Sequence, residues 1–501
     1  MSEEQILTEE KKRKSKKISK KANIYSYLAK KIIYFPLLRN SLIKMLENKM
    51  YQEAVVNCKD HPKKVQERKI QYLSALLSSG IRNFDRGYIS KEFINRAFDT
   101  LIKFGFTEKE LLREIVDKFK EKYGQLPPTF IVLSPTQKCN LSCIGCYASS
   151  NFNSAAFLPY EIVDKIVDEV YNEWANRFFV ISGGEPLMYN DNGKTLFDVW
   201  EKYKDMFFLF FTNGTLIDID TAKKLARVGN ATPAISIEGY EKETDERRGK
   251  GTFKKILEAT ENLKKVGVPF GVSVTVTKKN FDLLKEESFY DFCFKELGAS
   301  YMWMFQLMPI GKATCVKELM ITPEQRVVLF RVWEKMLSEK KYPVGDFWNS
   351  GPLSDGCIAY GRNGGYLYID WNGNIPPCAF VPFYEDNIIE LYSKGKKLSD
   401  ALFSKLFING RKWQQEYGLS HTNNPGNWLM PCSIRDNWKT FKKYVLTENS
   451  KPEDSAAKEF IESKEIDKLL EEFDDNLEKL TRPIWENEYL DKDSNKSYNK
   501  I

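Results

Sequence analysis

The spacing of apolar residues along the chain separates regions with a helical pattern from regions with a strand pattern. Between residues 66 and 123 apolar residues recur three and four positions apart, which places them on one face of a helix. Residues 22–51 show the same spacing, interrupted by Pro36, and therefore predict two short helices. No alternating strand pattern appears before Thr129. We therefore predict an all-helical accessory domain over residues 23–125.

From residue 129 to residue 307, short apolar runs alternate with helical patterns. Strands separated by helices form parallel sheets, so this region predicts an α/β fold, a partial (β/α)6 barrel over residues 126–312. Active sites of such sheets lie at the carboxyl ends of the strands. The predicted strands are 129–133, 178–182, 206–212, 234–237, 270–277 and 301–307. The predicted helices are 159–174, 195–203, 218–228, 253–266 and 283–297.

Three cysteines follow the first predicted strand: Cys139, Cys143 and Cys146, at CxxxCxxC spacing. Thiolates are the ligands of iron–sulfur clusters. Three protein ligands on a cluster of four irons would leave one iron open to another ligand. The alternative is half of a zinc site, which needs a fourth Cys or His at short spacing. The next downstream cysteine is Cys293, so the cluster is the favoured interpretation.

This cysteine loop resembles that of the radical S-adenosylmethionine (SAM) superfamily, and motifs at the following strand ends extend the resemblance across the predicted half-barrel. Each motif is weak alone, but they occur in the family's order, one at each strand end. The motifs are Ser182-Gly-Gly-Glu-Pro186, Thr212-Asn-Gly214, Ser236-Ile-Glu-Gly239, Arg247-Arg-Gly249 and Met308-Pro-Ile-Gly-Lys-Ala313.

The resemblance implies an enzyme whose [4Fe–4S] cluster binds SAM and cleaves it reductively to a 5′-deoxyadenosyl radical. That radical would abstract hydrogen from an unactivated C–H bond. Two departures are visible, because Gly145 stands where the family often has an aromatic residue and Glu238 where Asp is commoner. The implied cluster ligands are Cys139, Cys143 and Cys146, and the implied SAM contacts are Tyr147, Gly183, Gly184, Glu185, Asn213, Ser236 and Arg248.

A second cysteine set lies further along the chain. Cys357 is followed by fifteen residues, a glycine, four residues and Cys378, and residues 365–374 predict a β-hairpin with an Asn-Gly turn. This spacing resembles the opening of the SPASM domain, which carries auxiliary [4Fe–4S] clusters. Only Cys432 follows, so the pattern is similar to the shortened twitch form. The resemblance implies an auxiliary cluster on these three cysteines in a small α+β domain, residues 313–450. Buried thiols that pack as small hydrophobes are the alternative.

The fourth ligand of this auxiliary cluster is left open. Cys315 is the first candidate, and Asp355 or an open site comes next. The remaining cysteines and both histidines fit neither set, and we expect structural or surface roles for them. These residues are Cys58, Cys293, His61 and His421.

Length and composition indicate how many globular units the chain forms and where in the cell it is expected. A chain of 501 residues with 42% hydrophobic residues is expected to form two or three globular units. No apolar run reaches the 18 or so residues of a membrane span, and no secretory signal is evident. Nine cysteines with a cluster pattern favour a reducing interior, so we expect a cytoplasmic protein. Residues 1–22 predict a disordered basic tail and residues 451–501 a charged helical tail.

The substrate stays open between two classes. The basic tail, the aromatic helix after it and the aromatic run 301–305 favour a lipid or other apolar molecule, with membrane-surface contact as one role of the N-terminal helices. The alternative is a peptide or protein, as for many relatives with SPASM-type domains, although no winged-helix pattern is present. A non-catalytic iron–sulfur scaffold or redox sensor is a third interpretation. Reduced ferredoxin or flavodoxin is the expected electron donor, and no nucleic-acid partner is expected.

Overall fold

The computed structural model describes residues 34–58, 61–102, 108–419 and 425–490. The predicted tail over residues 1–22, the chain after residue 490 and His421 lie outside this part. No helix among the described residues combines the length and the apolar character needed to cross a bilayer.

An eight-stranded parallel sheet forms the centre of the molecule, with strand order β7-β6-β5-β4-β3-β2-β1-β8. Strands β1 to β6 are the six predicted from the sequence, and helices alternate with them, so the predicted half-barrel is confirmed. The strands are β1 Phe130–Leu133, β2 Phe178–Ile181, β3 Phe207–Thr212, β4 Ala231–Ser236, β5 Gly271–Val276, β6 Met302–Gln306, β7 Val344–Asp346 and β8 Tyr366–Ile369.

The sequence did not predict that the sheet continues beyond six strands, to β7 at one edge and β8 at the other. β7 has only three residues, too few to show a period. The hairpin predicted over residues 365–374 is present, since the Asp370 N–H donates to the Asn374 carbonyl and the Tyr368 N–H to the Pro376 carbonyl, both at 3.1 Å. Its first arm, Tyr366–Ile369, also pairs in parallel with β1, with Phe130 opposite Tyr366, and this pairing was not predicted. The chain does turn after β8, where the Gly373 N–H donates to the Asp370 carbonyl at 3.0 Å. Local turn chemistry could not reveal a strand partner that lies so much earlier in the chain.

Helices cover the outer face of the sheet. Side chains of a strand alternate between faces, so Ile131 and Leu133 of β1 are fully buried beneath the helices, while Phe130 and Val132 face the inside of the half-barrel. The helices after β1 and before β7 are Tyr160–Asn172, Leu196–Lys202, Ile219–Val228, Glu241–Arg248, Thr252–Val266, Phe281–Leu284, Glu287–Asp291 and Pro323–Ser338.

Helices also precede the sheet. Pro36 begins the first described helix, a position where its missing N–H is harmless. The helix predicted before Pro36 lies outside the described residues, which begin at residue 34. The second helix is tied to the core by charge, since Arg68 Nη2 lies 2.6 Å from Glu334 and Lys69 Nζ lies 2.7 Å from Asp355. The four helices are Pro36–Tyr51, Lys63–Asp85, Lys91–Ile102 and Lys109–Tyr123.

The chain after β8 builds a second apolar core beside the half-barrel. Two short strands in this part of the chain, β9 Phe383–Tyr384 and β10 Lys451–Pro452, form an antiparallel pair. The long helix Lys464–Ile484 buries one apolar face that includes Leu470 and Leu477, both 0% exposed. The remaining helices are Gly351–Ser354, Ile388–Ser393, Lys405–Gln414, Trp438–Thr440 and Ser455–Glu462.

Candidate functional site

A cavity of about 320 Å3 lies inside the half-barrel, toward the carboxyl ends of the strands. Cys139, Cys143 and Cys146 all line it. Burial raises the pKa of the Cys139 thiol to about 12, and the nearby Glu185 carboxylate and the other two cysteines add to the shift. A thiol with this pKa keeps its proton at neutral pH, so a metal that binds the thiolate must displace it.

Gly145 explains why this chain departs from the family pattern before its third cysteine. Its φ angle is +66°, in the left-handed region that favours glycine. A Cβ there would lie 3.0 Å from Leu307 Cδ1 and 3.3 Å from Val316 Cγ2, so any larger residue would have to displace these side chains. Tyr147 lines the cavity instead, and its hydroxyl is 2.8 Å from Ser182 Oγ.

The Gly183–Gly184 turn brings backbone to the cavity wall. A Cβ on Gly184 would lie 2.2 Å from the carbonyl oxygen of Lys138, so only glycine allows this approach to the cysteine loop. Glu185 is fully buried and is not among the residues that line the cavity. Its carboxylate accepts hydrogen bonds from Thr212 Oγ1 and from the Asn213 backbone N–H, both at 2.8 Å.

The other predicted SAM contacts meet at the same cavity. Asn213, Ser236 and Arg248 line it. Asn213 Nδ2 lies 3.8 Å from Cys139 Sγ, and Arg248 Nη1 lies 3.9 Å from Cys143 Sγ. Polar groups from separate strand ends therefore surround the cysteine loop, as the order of the motifs predicted.

The second cysteine set is also brought together. Cys378 is buried in the second core, and Cys357 and Cys432 pack against that core. Burial raises the pKa of Cys378 to about 12 and that of Cys432 well above its usual value. Cys378 Sγ lies 2.9 Å from the Tyr366 hydroxyl and accepts the Phe380 backbone N–H at 3.4 Å. Residues that follow two of these cysteines, among them Phe380, form part of the cavity wall.

Both cysteine sets fit clusters by the chemistry of their donors. Among residues 34–58, 61–102, 108–419 and 425–490, no three Cys, His, Asp or Glu side chains are placed to share one metal ion. In a cubane each thiolate binds a different iron, so its sulfur atoms stand further apart than the ligands of a single ion. Three soft thiol donors per site are the ligand type that iron–sulfur clusters use.

The candidates for a fourth auxiliary ligand are placed less favourably. Cys315 is exposed. Asp355 is held by Lys69, whose Nζ donates to both carboxylate oxygens at 2.7 and 2.8 Å. Of the residues outside both sets, Cys293 is fully buried. The centroid of the His61 ring lies 6.4 Å from that of the Trp428 ring.

Most of the apolar wall of the cavity was not predictable from the sequence. Besides Tyr147, eight aromatic side chains line it, most of them from the inner faces of strands that are far apart in the chain. Period-two alternation could have assigned each side chain to a face of its strand, but not to one cavity. These residues are Phe130, Phe178, Phe211, Trp303, Phe305, Phe347, Tyr366 and Phe380.

Comparison with known proteins agrees with this site. Residues 133–287 match the model of the radical SAM superfamily. The chain is 31% identical over 205 residues to the Fe-coproporphyrin III synthase of Methanosarcina barkeri, covering 39% of this chain and only 49%, about half, of that relative. It is 29% identical over 326 residues to the mycofactocin maturase MftC of Mycolicibacterium smegmatis, covering 62% of this chain and 77% of the relative. The crystal structure of Streptococcus suis SuiB bound to the precursor peptide SuiA is 21% identical, with a TM-score of 0.49, over 60% of this chain and 70% of that one.

Proposed function

We propose that this chain is a radical SAM enzyme and that Cys139, Cys143 and Cys146 hold its [4Fe–4S] cluster. One observation carries the assignment: the three thiols line a single cavity at the carboxyl ends of parallel strands. The cluster and SAM supply a carbon-centred radical that can abstract hydrogen from an unactivated C–H bond. The protein's own part is to bind, orient and keep water away.

The residues around the cysteine loop have distinct parts in holding SAM. The Gly183–Gly184 backbone comes closest to the loop, so its peptide groups are available to a polar ligand. Arg248 is a half-buried cation beside Cys143 and would attract the SAM carboxylate. Ser236 and Asn213 add hydrogen-bonding groups on two further strands. Glu185 would act by fixing the Asn213 backbone, since that N–H already binds its carboxylate.

For the substrate we favour a peptide or protein over a lipid. Of the two curated relatives described above, the one that covers more of this chain is named a maturase, an enzyme that acts on a precursor. The SPASM-type spacing of Cys357 and Cys378 points the same way, through the resemblance. Away from the cysteine loop the cavity wall is aromatic and aliphatic, which suits an apolar side chain entering the site and excludes water.

A tetrapyrrole is a second candidate, because one relative is an Fe-coproporphyrin III synthase. A flat conjugated ring would also suit an aromatic wall, in which Phe130 and Tyr366 already stack at 5.2 Å.

We further propose that Cys357, Cys378 and Cys432 hold an auxiliary [4Fe–4S] cluster and that reduced ferredoxin or flavodoxin donates electrons. The packing of all three cysteines on one apolar core supports the auxiliary site. Contact with a membrane surface stays a prediction. The helix Pro36–Tyr51 leaves Leu37 86% exposed, as such contact would require.

The proposal is tested by anaerobic 5′-deoxyadenosine formation from SAM with a reductant. Cys143→Ala should abolish the product, because one iron loses its protein ligand. Cys58→Ala, outside both sets, should keep the wild-type rate. Product formation by Cys143→Ala at the wild-type rate would contradict the assignment.

The substrate class is tested in the same assay. Peptides encoded near the gene, coproporphyrin and lipid vesicles are added in separate reactions, and each is analysed for a change in mass. A mass change in a peptide, with faster deoxyadenosine formation, supports the first candidate, and a change in coproporphyrin supports the second. If only lipid vesicles speed deoxyadenosine formation, and the lipid masses change, a lipid is the favoured substrate.

A further inference from the structure

Tyr366, the first residue of β8, contacts both the cavity and the second cysteine set. Its side chain is 2% exposed, and its ring lines the cavity, stacked on Phe130 with 9° between the ring planes. Its hydroxyl lies 2.9 Å from Cys378 Sγ. One side chain thus forms the cavity wall with its ring and reaches a cluster cysteine with its oxygen.

The direction of this hydrogen bond is fixed once Cys378 binds iron. A metal-bound cysteine is a thiolate, which has no proton to donate. A phenol, with an ordinary pKa near 10, keeps its proton at neutral pH. Tyr366 is therefore the donor and the sulfur the acceptor. Because both side chains are buried, bulk water does not compete for either partner.

We propose that Tyr366 is a positioning residue of the auxiliary cluster, which donates a hydrogen bond to the Cys378 thiolate and raises the reduction potential of that cluster. The proposal rests on the auxiliary cluster of the proposed function. Its physical basis is that an O–H dipole pointed at sulfur stabilises the more negative, reduced state more than the oxidised one.

Tyr368 provides a matched control on the same strand. It lies two residues further on, on the same face of β8, and is also 2% exposed. Its hydroxyl donates to Ser134 Oγ at 2.9 Å and not to a cysteine. Removing either hydroxyl deletes one oxygen and one buried hydrogen bond, but only Tyr366→Phe removes a donor to sulfur.

The experiment measures the midpoint potential of the auxiliary cluster alone. The full-length chain carries Cys139→Ala, Cys143→Ala and Cys146→Ala, so that any cluster signal comes from the second set. It is reconstituted anaerobically and titrated with dithionite while the reduced cluster is followed by electron paramagnetic resonance. Tyr366→Phe and Tyr368→Phe are made in this background, and cluster content is checked by iron and sulfide analysis.

We expect Tyr366→Phe to retain the cluster with a more negative potential, and Tyr368→Phe to match the parent. An unchanged potential in Tyr366→Phe overturns the proposal, and so does an equal shift in both variants, which would mark a general effect of lost buried hydroxyls. If the parent binds no cluster at all, the auxiliary site itself fails and the proposal fails with it. That result is distinct from an unchanged potential in Tyr366→Phe, in which the cluster is present but its potential does not depend on Tyr366.

Discussion

At the scale of single residues, Glu238 links the cysteine loop to the sheet. Its carboxylate is 1% exposed and accepts hydrogen bonds from Arg247 Nη1 at 2.6 Å, from Arg248 Nε at 2.7 Å and from the Thr275 backbone N–H at 3.0 Å. Arg248 in turn approaches Cys143. The longer Glu side chain, at a position where the family more often has Asp, thus holds two cations beside the site.

Replacing Glu238 should be strongly destabilising. In Glu238→Ala two guanidinium groups lose their buried partner, and breaking a buried ion pair costs about 3–5 kcal/mol of unfolding free energy. Chemical denaturation followed by circular dichroism measures the loss. The control is Glu246→Ala on the helix that carries both arginines, whose carboxylate pairs with Lys279 at the surface and should change stability by less than about 1 kcal/mol. Equal losses in the two variants would contradict this account.

At the scale of elements, the helix Lys464–Ile484 contributes more to the core than its charged sequence suggests. Its polar face is exposed, but its apolar face completes the second core. Leu470→Ala should lower the unfolding free energy by about 2–5 kcal/mol, because it leaves a cavity in a fully buried position. Lys468→Ala, on the exposed face, should stay within about 0.5 kcal/mol. A small effect of Leu470→Ala in a denaturant titration would show that this helix packs loosely.

The same helix carries a pH-dependent contribution at Asp474. Burial raises the pKa of this carboxyl to about 9, and the nearby Asp436 adds to the shift. The folded protein therefore keeps the proton up to about pH 9, whereas the unfolded chain loses it near pH 4. Between these values the unfolding free energy falls as pH rises, by up to about 1.4 kcal/mol per pH unit.

Asp474→Asn mimics the protonated carboxyl and should remove this pH dependence. Its amide oxygen can still accept the Trp438 backbone N–H, which lies 2.7 Å from the carboxylate in the wild type. We expect the unfolding free energy of the variant to exceed that of the wild type by more at pH 8 than at pH 5. Urea denaturation of both proteins at the two pH values measures this difference. Identical pH profiles would show that Asp474 ionises normally in the folded protein.

At the scale of the whole molecule, the first cysteine set lines the cavity, and the second set lies behind the cavity wall, where Tyr366 contacts Cys378. If each holds its own cubane, the wild-type protein binds about eight irons, and replacing either set by alanine leaves about four. Iron and sulfide analysis after anaerobic reconstitution measures this. The variant lacking Cys357, Cys378 and Cys432 should still cleave SAM, whereas the variant lacking the first set should not. Loss of both clusters in either variant would mean that the sites are not independent.

Much of the core and the residues of the first candidate site could be predicted from the sequence. Six strands and the cysteine loop were predictable because period and spacing are local properties of the chain, and the glycines at Gly183–Gly184 signalled a close backbone approach. The departure at Gly145 was visible too. Its reason, a left-handed backbone packed against Leu307, appears only in the folded protein.

The tertiary structure alone decided what lies between the two cysteine sets. β8 joins the sheet beside β1, although the whole half-barrel separates the two strands in the chain, and this pairing carries Tyr366 into the cavity wall and against Cys378. It also buried Glu185 directly behind the cavity wall, where its carboxylate oxygens accept hydrogen bonds from Thr212 and Asn213, two residues that line the cavity. Contacts of this kind depend on how distant segments pack, and the local pattern of apolar and polar residues does not specify which segments those are.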